Sequence, residues 1–166
     1  MTDLAARVEQ ARQRWNAGDL PGYLSLYDDT IKVHGYTPEP MNKAAVKGFY
    51  EMVVATMAAE GKPNPVLEFH DVLVEGHRYC CRFTMSGIHK GPFLGVPATN
   101  KPYVLPGITI MHFRDGKVIE RWSTGRPAAR LNFSAPRARS PFSTRQCRPA
   151  GGRPRSAARP ARPALP

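Results

Sequence analysis

The chain has 166 residues and a formal net charge of +11 at pH 7. That length suffices for one domain with a hydrophobic core of its own. The charge is unevenly distributed, because residues 1–125 carry 14 Lys and Arg against 13 acidic residues, whereas residues 126–166 carry ten Arg and no acidic residue. The amino-terminal stretch has no apolar signal region and no segment is apolar enough to span a bilayer, so we expect a cytoplasmic protein without a membrane partner.

The cysteine pattern argues against a disulfide framework and a metal site. Cys80 and Cys81 are adjacent in a strand-like run, and Cys147 follows much later. Neighbouring residues of a strand point to opposite faces, so Cys80 and Cys81 are poorly placed to bridge or to share a metal. No spacing of Cys and His typical of zinc is present. We therefore predict no metal.

The periodicity of apolar residues predicts helices first and strands afterwards. Helical spacing begins after Thr2–Asp3 and stops at the Asn16-Ala17-Gly18 signal, and Asp19 can cap a second, short helix. Alternation of apolar and polar residues marks the strands, and Asp115-Gly116 is a hairpin turn. The further predicted elements are a strand over 30–34, a helix from 43 to about 59, and strands over 66–75, 78–89, 103–114 and 118–124.

This order of elements predicts the fold class. Consecutive strands with short connections pair antiparallel, and helices gathered at the start of the chain must cover one face of that sheet. The prediction is an α+β domain, with three amino-terminal helices packed on a bent, mostly antiparallel sheet. A bent sheet over a long helix leaves a cavity between them, which is the default site for a small ligand.

Two segments resemble a known family. Residues 86–101, SGIHKGPFLGVPATNK, are similar to the segment that SnoaL-like proteins write as G-T-H-x-G-x-x-x-G-x-P-x-T-G-K, and residues 115–122, DGKVIERW, are similar to their D-G-K-I-x-E-x-W signature. The resemblance covers roughly residues 4–124. It implies the cone-shaped α+β fold of the nuclear-transport-factor-2-like superfamily, so we expect a SnoaL-like domain over residues 1–125.

The resemblance also implies a function. The name-giving members are polyketide cyclases, which close an aromatic polyketide ester by an intramolecular aldol reaction with an acid/base aspartate and without a cofactor. The position that matches the aspartate is Arg126, and a His of the family falls on Thr109. We therefore expect a small apolar ligand, with cyclase or isomerase chemistry as one hypothesis and a non-enzymatic binding or dimerisation module as the other. A homodimer is a further implication of the resemblance.

Two histidines are the candidate catalytic residues. His89 ends a strand beside a Gly-rich loop, where it can act as an acid/base group or can instead fix the loop by hydrogen bonding. His34 ends the first strand, where it can enter the cavity or lie on the surface. The predicted pocket residues, some of which can equally be ordinary core or sealing residues, are Tyr36, Tyr50, Phe93, Thr109, Trp122 and Thr124.

The last 41 residues differ in character from the rest. Residues 126–166 contain 8 Pro and ten Arg and lack apolar periodicity. Such a composition cannot offset the entropy of ordering, so we predict a disordered tail. An Arg-rich tail can bind nucleic acid through phosphate contacts, which is a third functional hypothesis. A fourth hypothesis is a frameshift near codon 125, because out-of-frame GC-rich DNA encodes such runs.

Overall fold

The computed structural model describes residues 4–124, so Arg126 and the predicted tail lie outside the described residues. Residues 4–124 form three helices and five strands in the predicted order. Predicted bounds agree to within a few residues, and the largest difference is that the first strand begins at Tyr27 instead of Thr30. The elements are α1 (Leu4–Asn16), α2 (Leu20–Leu24), β1 (Tyr27–His34), α3 (Lys43–Met57), β2 (Val66–Glu75), β3 (Arg78–Ile88), β4 (Pro102–Arg114) and β5 (Lys117–Thr124).

The long helix α3 follows directly from its sequence. Asn42 caps it, since its side-chain oxygen accepts a hydrogen bond of 2.9 Å from the amide of Ala45 and satisfies a backbone donor that the helix itself cannot. Its buried stripe recurs every three or four residues, as expected of an amphipathic helix. The stripe consists of Val46, Tyr50, Val53 and Met57. This stripe faces the core and supplies one wall of the cavity described below.

The five strands form one sheet with the order β1-β5-β4-β3-β2. Strands β2 to β5 pair antiparallel with their sequence neighbours, and β1 pairs parallel with β5. The α+β prediction with a mostly antiparallel sheet is therefore confirmed. The parallel pair joins the first strand of the chain to the last, which places β5 between β1 and β4.

A β-bulge in the last hairpin decides which side chains of β5 face the core. The hairpin begins with Arg114 opposite Lys117 and Phe113 opposite Val118, but His112 then lies opposite Glu120, so the register skips Ile119. An extra residue in one strand of a pair reverses the alternation of faces beyond it. Val118 is therefore buried before the bulge, and the odd-numbered residues of β5 are buried after it.

The opposite face of the sheet carries exposed apolar residues. Ile108 and Ile110 on β4 are 50% and 40% exposed, and Leu73 on β2 is 69% exposed. These three residues, with Val104, are called the outer apolar face below. Separately, none of the helices within residues 4–124 has both the length and the apolar character needed to cross a membrane.

Candidate functional site

A cavity lies within the core and is lined mainly by apolar and aromatic side chains. It encloses an empty volume of about 610 Å³, part of which is open to solvent. The helices contribute Trp15, Tyr23, Phe49, Tyr50, Val53 and Met57, the loops after β1 and β3 contribute Tyr36 and Phe93, and the strands contribute Leu67, Phe83, Met85, Leu105 and Arg121. Apolar and aromatic walls with few polar groups are typical of sites for small organic molecules.

Arg121 is the charged residue in this lining. It lies on β5 beyond the bulge and is 4% exposed. Its Nε donates a hydrogen bond of 2.9 Å to Oγ1 of Thr109, which in turn donates to the backbone carbonyl of Trp122 at 3.0 Å. Thr109 on the neighbouring strand therefore fixes the plane of the guanidinium group.

Three phenol oxygens surround one nitrogen of this guanidinium group. Nη1 of Arg121 donates to the hydroxyl of Tyr23 at 3.0 Å, to that of Tyr50 at 2.8 Å and to that of Tyr27. These three residues come from α2, β1 and α3 and are almost completely buried. Since Nη1 carries two hydrogens, it has more acceptors than donors. Arg121 and the three tyrosines are called the Arg–Tyr cluster below.

The positive charge of the Arg–Tyr cluster belongs to Arg121, because a phenol with the ordinary pKa of tyrosine is neutral at neutral pH. Burial raises the pKa of Tyr27 and of Tyr50 far above the ordinary value, although the positive charge of Arg121 acts in the opposite direction. Arginine keeps its proton in proteins. The Arg–Tyr cluster therefore carries one net positive charge.

No carboxylate neutralises that charge within the described part of the chain. The ion pairs found among residues 4–124 do not include Arg121. Buried charges are normally paired, because moving an isolated charge out of water is costly. The hydroxyl groups of Tyr23, Tyr27 and Tyr50 replace part of the lost hydration without supplying a negative charge. The cavity thus combines apolar walls with one hydrogen-bonded, uncompensated cation.

The structure brings some of the predicted pocket residues together at this cavity. Tyr36, Tyr50 and Phe93 line it. Thr109 is completely buried behind the lining, where its Oγ1 accepts a hydrogen bond from Nε of Arg121. Four of the six predicted pocket residues therefore belong to the cavity wall or to the layer directly behind it.

Trp122 and Thr124 lie on the other face of the sheet. The ring of Trp122 stacks on His34 with 5.0 Å between ring centroids, and Thr124 is exposed and hydrogen-bonds the backbone of Ile108. Strict alternation from the buried Val118 places Trp122 and Thr124 on the cavity side. The bulge at Ile119 shifts the pattern by one residue and turns Arg121 inward instead.

The two candidate catalytic histidines are not among the residues that line the cavity. His89 is completely buried, and its Nδ1 lies 3.2 Å from Oγ1 of Thr99 in the Gly-rich loop. His34 lies on the outer face, where its Nε2 is 2.9 Å from a carboxylate oxygen of Glu120. Within residues 4–124, no group of three or more His, Cys, Asp or Glu side chains is placed to hold a metal ion.

The Arg–Tyr cluster is not visible in the sequence pattern alone. Sequence periodicity predicts Tyr23 and Tyr27 on the apolar side of one short helix, but that helix ends at Leu24 and Tyr27 begins β1. Strand alternation predicts only that Arg121 lies on the face opposite Trp122. Alternation in β4 separates Thr109, Met111 and Phe113, which are buried, from Ile108 and Ile110, which are exposed. Pairing with the buried face identifies the inward residues of β5 once the bulge is known, since Met111 lies opposite Arg121.

Comparison with solved structures supports the fold. The chain is 24% identical to AclR from Streptomyces galilaeus, a proposed hydroxylase, with a TM-score of 0.66 over 76% of this chain and 90% of AclR. It is 20% identical to IdmH from Streptomyces antibioticus, a proposed polyketide cyclase, with a TM-score of 0.61 over 74% and 91%. It is 22% identical to TsrD from Streptomyces laurentii, with a TM-score of 0.60 over 72% and 88%. Identities this low show the fold alone.

Comparison of the sequence with curated proteins finds no match. The sequence model of one family, described as SnoaL-like polyketide cyclase, matches residues 5–126. That match spans the described helices and strands from Ala5 onward and most of the chain. The fold of the solved structures agrees with it, and the expected resemblance is confirmed. The chain therefore belongs to the SnoaL-like polyketide cyclase family.

Proposed function

We propose that the protein binds a small, mostly apolar organic molecule in the cavity above the Arg–Tyr cluster. The observation that supports this most directly is the cavity itself, because its lining is aromatic and aliphatic apart from the cationic group of Arg121 and the hydroxyls of tyrosines. Ligand sites in proteins commonly have such walls, with few polar groups that fix orientation. Membership of a polyketide cyclase family agrees with a ligand of this kind.

Cyclase or isomerase chemistry on that ligand is the first form of the proposal. Such chemistry needs a group that takes and returns a proton within reach of the ligand. The lining formed by the described residues has phenols but no carboxylate and no imidazole. His89 and His34 stay predictions as acid/base groups, and Arg126 lies outside the described residues. The same observation favours a second candidate function, a binding module of this fold without turnover.

Binding is testable with the chain's own fluorescence. Trp15 lines the cavity and is buried, so an aromatic ligand that enters is expected to quench or shift its emission. Val53→Phe on α3 fills the cavity and is expected to abolish saturable binding, whereas Ala55→Phe on the exposed side of the same helix is expected to leave it unchanged. Equal binding by both variants would contradict the proposed site. Analysis of the incubated ligand for a new product then separates turnover from binding alone.

We also propose that two copies associate through the outer apolar face. Exposed Leu73 on β2 and exposed Val104, Ile108 and Ile110 on β4, two strands of one sheet with β3 between them, form the kind of patch that marks an interaction surface. The expected result is a dimer in analytical ultracentrifugation, and the Ile108→Lys/Ile110→Lys double variant is expected to be a monomer. A wild-type monomer at high protein concentration would contradict the proposal.

A further inference from the structure

We infer that the Arg–Tyr cluster is a binding site for an anionic oxygen, so that the ligand is an apolar molecule that carries a carboxylate, an enolate or a phenolate. This inference rests on the proposed function, since it names the chemistry of the ligand in the same cavity. Two observations support it. Some hydrogen-bond donors of the Arg–Tyr cluster have no acceptor within residues 4–124, and the positive charge of Arg121 is not compensated there.

One N–H donor of the Arg121 guanidinium group has no acceptor within residues 4–124. Nη2 of Arg121 makes one long hydrogen bond, of 3.4 Å, to Oγ of Ser123. A guanidinium Nη2 carries two hydrogens, so its second N–H has no acceptor among the side chains and backbone of residues 4–124. Arg121 also lines the cavity. A ligand oxygen is therefore the natural acceptor for this N–H.

One phenol O–H of the Arg–Tyr cluster also has no acceptor within the cluster. Their hydroxyls form a chain, with 3.3 Å between Tyr23 and Tyr27 and 3.2 Å between Tyr27 and Tyr50. Three O–H hydrogens serve two phenol–phenol bonds, and Arg121 can accept none, so one hydrogen is left over. Leaving it on Tyr27, which does not line the cavity, would bury an unsatisfied donor at a cost. The spare hydrogen therefore belongs to Tyr23 or Tyr50, and both of these line the cavity.

Both unused donors favour an acceptor, and the charge favours a negative one. Apart from residues 4–124, the sequence has a single acidic side chain, Asp3. An anion in the cavity would supply the missing partner of Arg121 and would accept charge-assisted hydrogen bonds from the guanidinium group and a phenol. Since the surroundings are mainly apolar, these interactions are stronger than they would be at a surface.

The same arrangement would stabilise charge that develops on a carbonyl oxygen. Donors that are fixed in advance and point to the position of an enolate oxygen stabilise an enolate more than the neutral ketone. Removal of a proton from the carbon beside the carbonyl transfers the electron pair of the C–H bond to that oxygen. Arg121 and the phenols would bind the oxygen, and the proton would go to a separate base. The Arg–Tyr cluster would therefore bind the anion without taking the proton.

The test compares ligands that differ in charge but hardly in shape. Binding of 2-naphthoate and of 2-naphthamide to the full chain is measured by Trp15 fluorescence and by calorimetry at pH 7. We expect the carboxylate to bind at least tenfold more tightly than the amide. Equal affinities in the wild-type protein would overturn the inference and leave the proposed cavity intact. Binding of neither compound would count against the cavity and the inference together.

Variants locate the preference for the anion. Arg121→Met has a similar length and no charge, and is expected to remove the tenfold preference while the amide still binds. Arg82→Met, which changes an exposed Arg on the far side of β3 that pairs with Asp71, is expected to keep the preference. If Arg121→Met does not fold, Tyr50→Phe is expected to reduce the preference in part. A preference that survives both cluster changes in folded protein would overturn the inference.

A phenol probe distinguishes the source of the anionic oxygen. The ionisation of bound 4-nitrophenol is followed by its absorbance as pH is varied. A site that accepts a single oxyanion is expected to lower the pKa of the bound phenol by about one unit or more, as an adjacent positive charge does. A lowered value identifies a phenolate or enolate as an acceptable ligand. Preference for naphthoate without this shift identifies a carboxylate ligand.

Discussion

The surplus of acceptors around Nη1 of Arg121 predicts an unusual pattern of stability in tyrosine variants. Nη1 has two hydrogens and three phenol acceptors, Tyr23, Tyr27 and Tyr50. Changing one of these to Phe leaves two acceptors, which still satisfy both hydrogens. Tyr23→Phe and Tyr50→Phe therefore each lose one net hydrogen bond, the phenol–phenol bond to Tyr27, and each is expected to lower the free energy of unfolding by about 1 kcal/mol.

The double variant Tyr23→Phe/Tyr50→Phe removes two of the three acceptors around Nη1 of Arg121, one more than the surplus. Nη1 then keeps the hydroxyl of Tyr27 alone, and one N–H of a buried, charged group has no acceptor. Leaving such a donor unsatisfied costs about 1–3 kcal/mol in addition to the lost bonds. The double variant is therefore expected to lose about 3–5 kcal/mol in total, against about 2 kcal/mol for two independent changes.

Urea denaturation followed by tryptophan fluorescence and circular dichroism measures these free energies. The control pair is Tyr50→Phe with Tyr103→Phe, because Tyr103 is a buried phenol that donates to the carbonyl of Met57 at 2.8 Å and shares no partner with Arg121. That pair is expected to be additive within about 0.5 kcal/mol. Additivity of the Tyr23/Tyr50 pair to the same degree would refute the account of Nη1.

Three further predictions concern the backbone, the phenols and the helix cap. Gly35→Ala is expected to lower the free energy of unfolding strongly in chemical denaturation, because Gly35 has φ +99° and a Cβ would lie 2.0 Å from the carbonyl oxygen of Ser123. The control is Gly48→Ala in α3, where the new Cβ meets nothing within 4 Å. That variant is expected to raise the free energy of unfolding by about 0.5–1 kcal/mol. Burial raises the pKa of Tyr27 and Tyr50, so above pH 10 these phenols keep their protons in the folded protein and lose them in the unfolded chain. The free energy of unfolding is therefore expected to fall by about 1.4 kcal/mol per pH unit for each of the two tyrosines. Absorbance at 295 nm should show tyrosinate forming together with unfolding. Asn42→Ala is expected to lower the free energy of unfolding by about 1 kcal/mol, as measured by thermal denaturation with circular dichroism, through loss of the cap of α3.

The sequence was sufficient for the fold because its local signals agree with one another. The cap at Asn42, the helical stripe of α3 and the Asp115-Gly116 turn each act over a few residues and are visible in the chain itself. Strand alternation in β4 separates its two faces, although both of them carry apolar residues. These features specify an α+β domain without knowledge of any long-range contact.

The site was less predictable because it depends on a single inserted residue and on contacts between distant elements. Strict alternation from Val118 turns Glu120 and Trp122 toward the core, whereas the bulge at Ile119 turns Arg121 inward. Nothing in the local sequence requires that bulge. The meeting of Arg121 with phenols from α2, β1 and α3 is likewise a property of the packed structure.

The parallel pairing of β1 with β5 has a consequence for how the domain is made. Val33 of β1 lies opposite Arg121 of β5, a separation of about 88 residues along the chain. Contacts between such distant residues slow folding, and an unpaired strand edge meanwhile invites association with other chains. As the chain is synthesised, β1 has no β5 to pair with until nearly the whole domain has emerged. We therefore expect chains that terminate before β5 to aggregate. We also expect Arg121 to form its contacts with Tyr23, Tyr27 and Tyr50 late in folding.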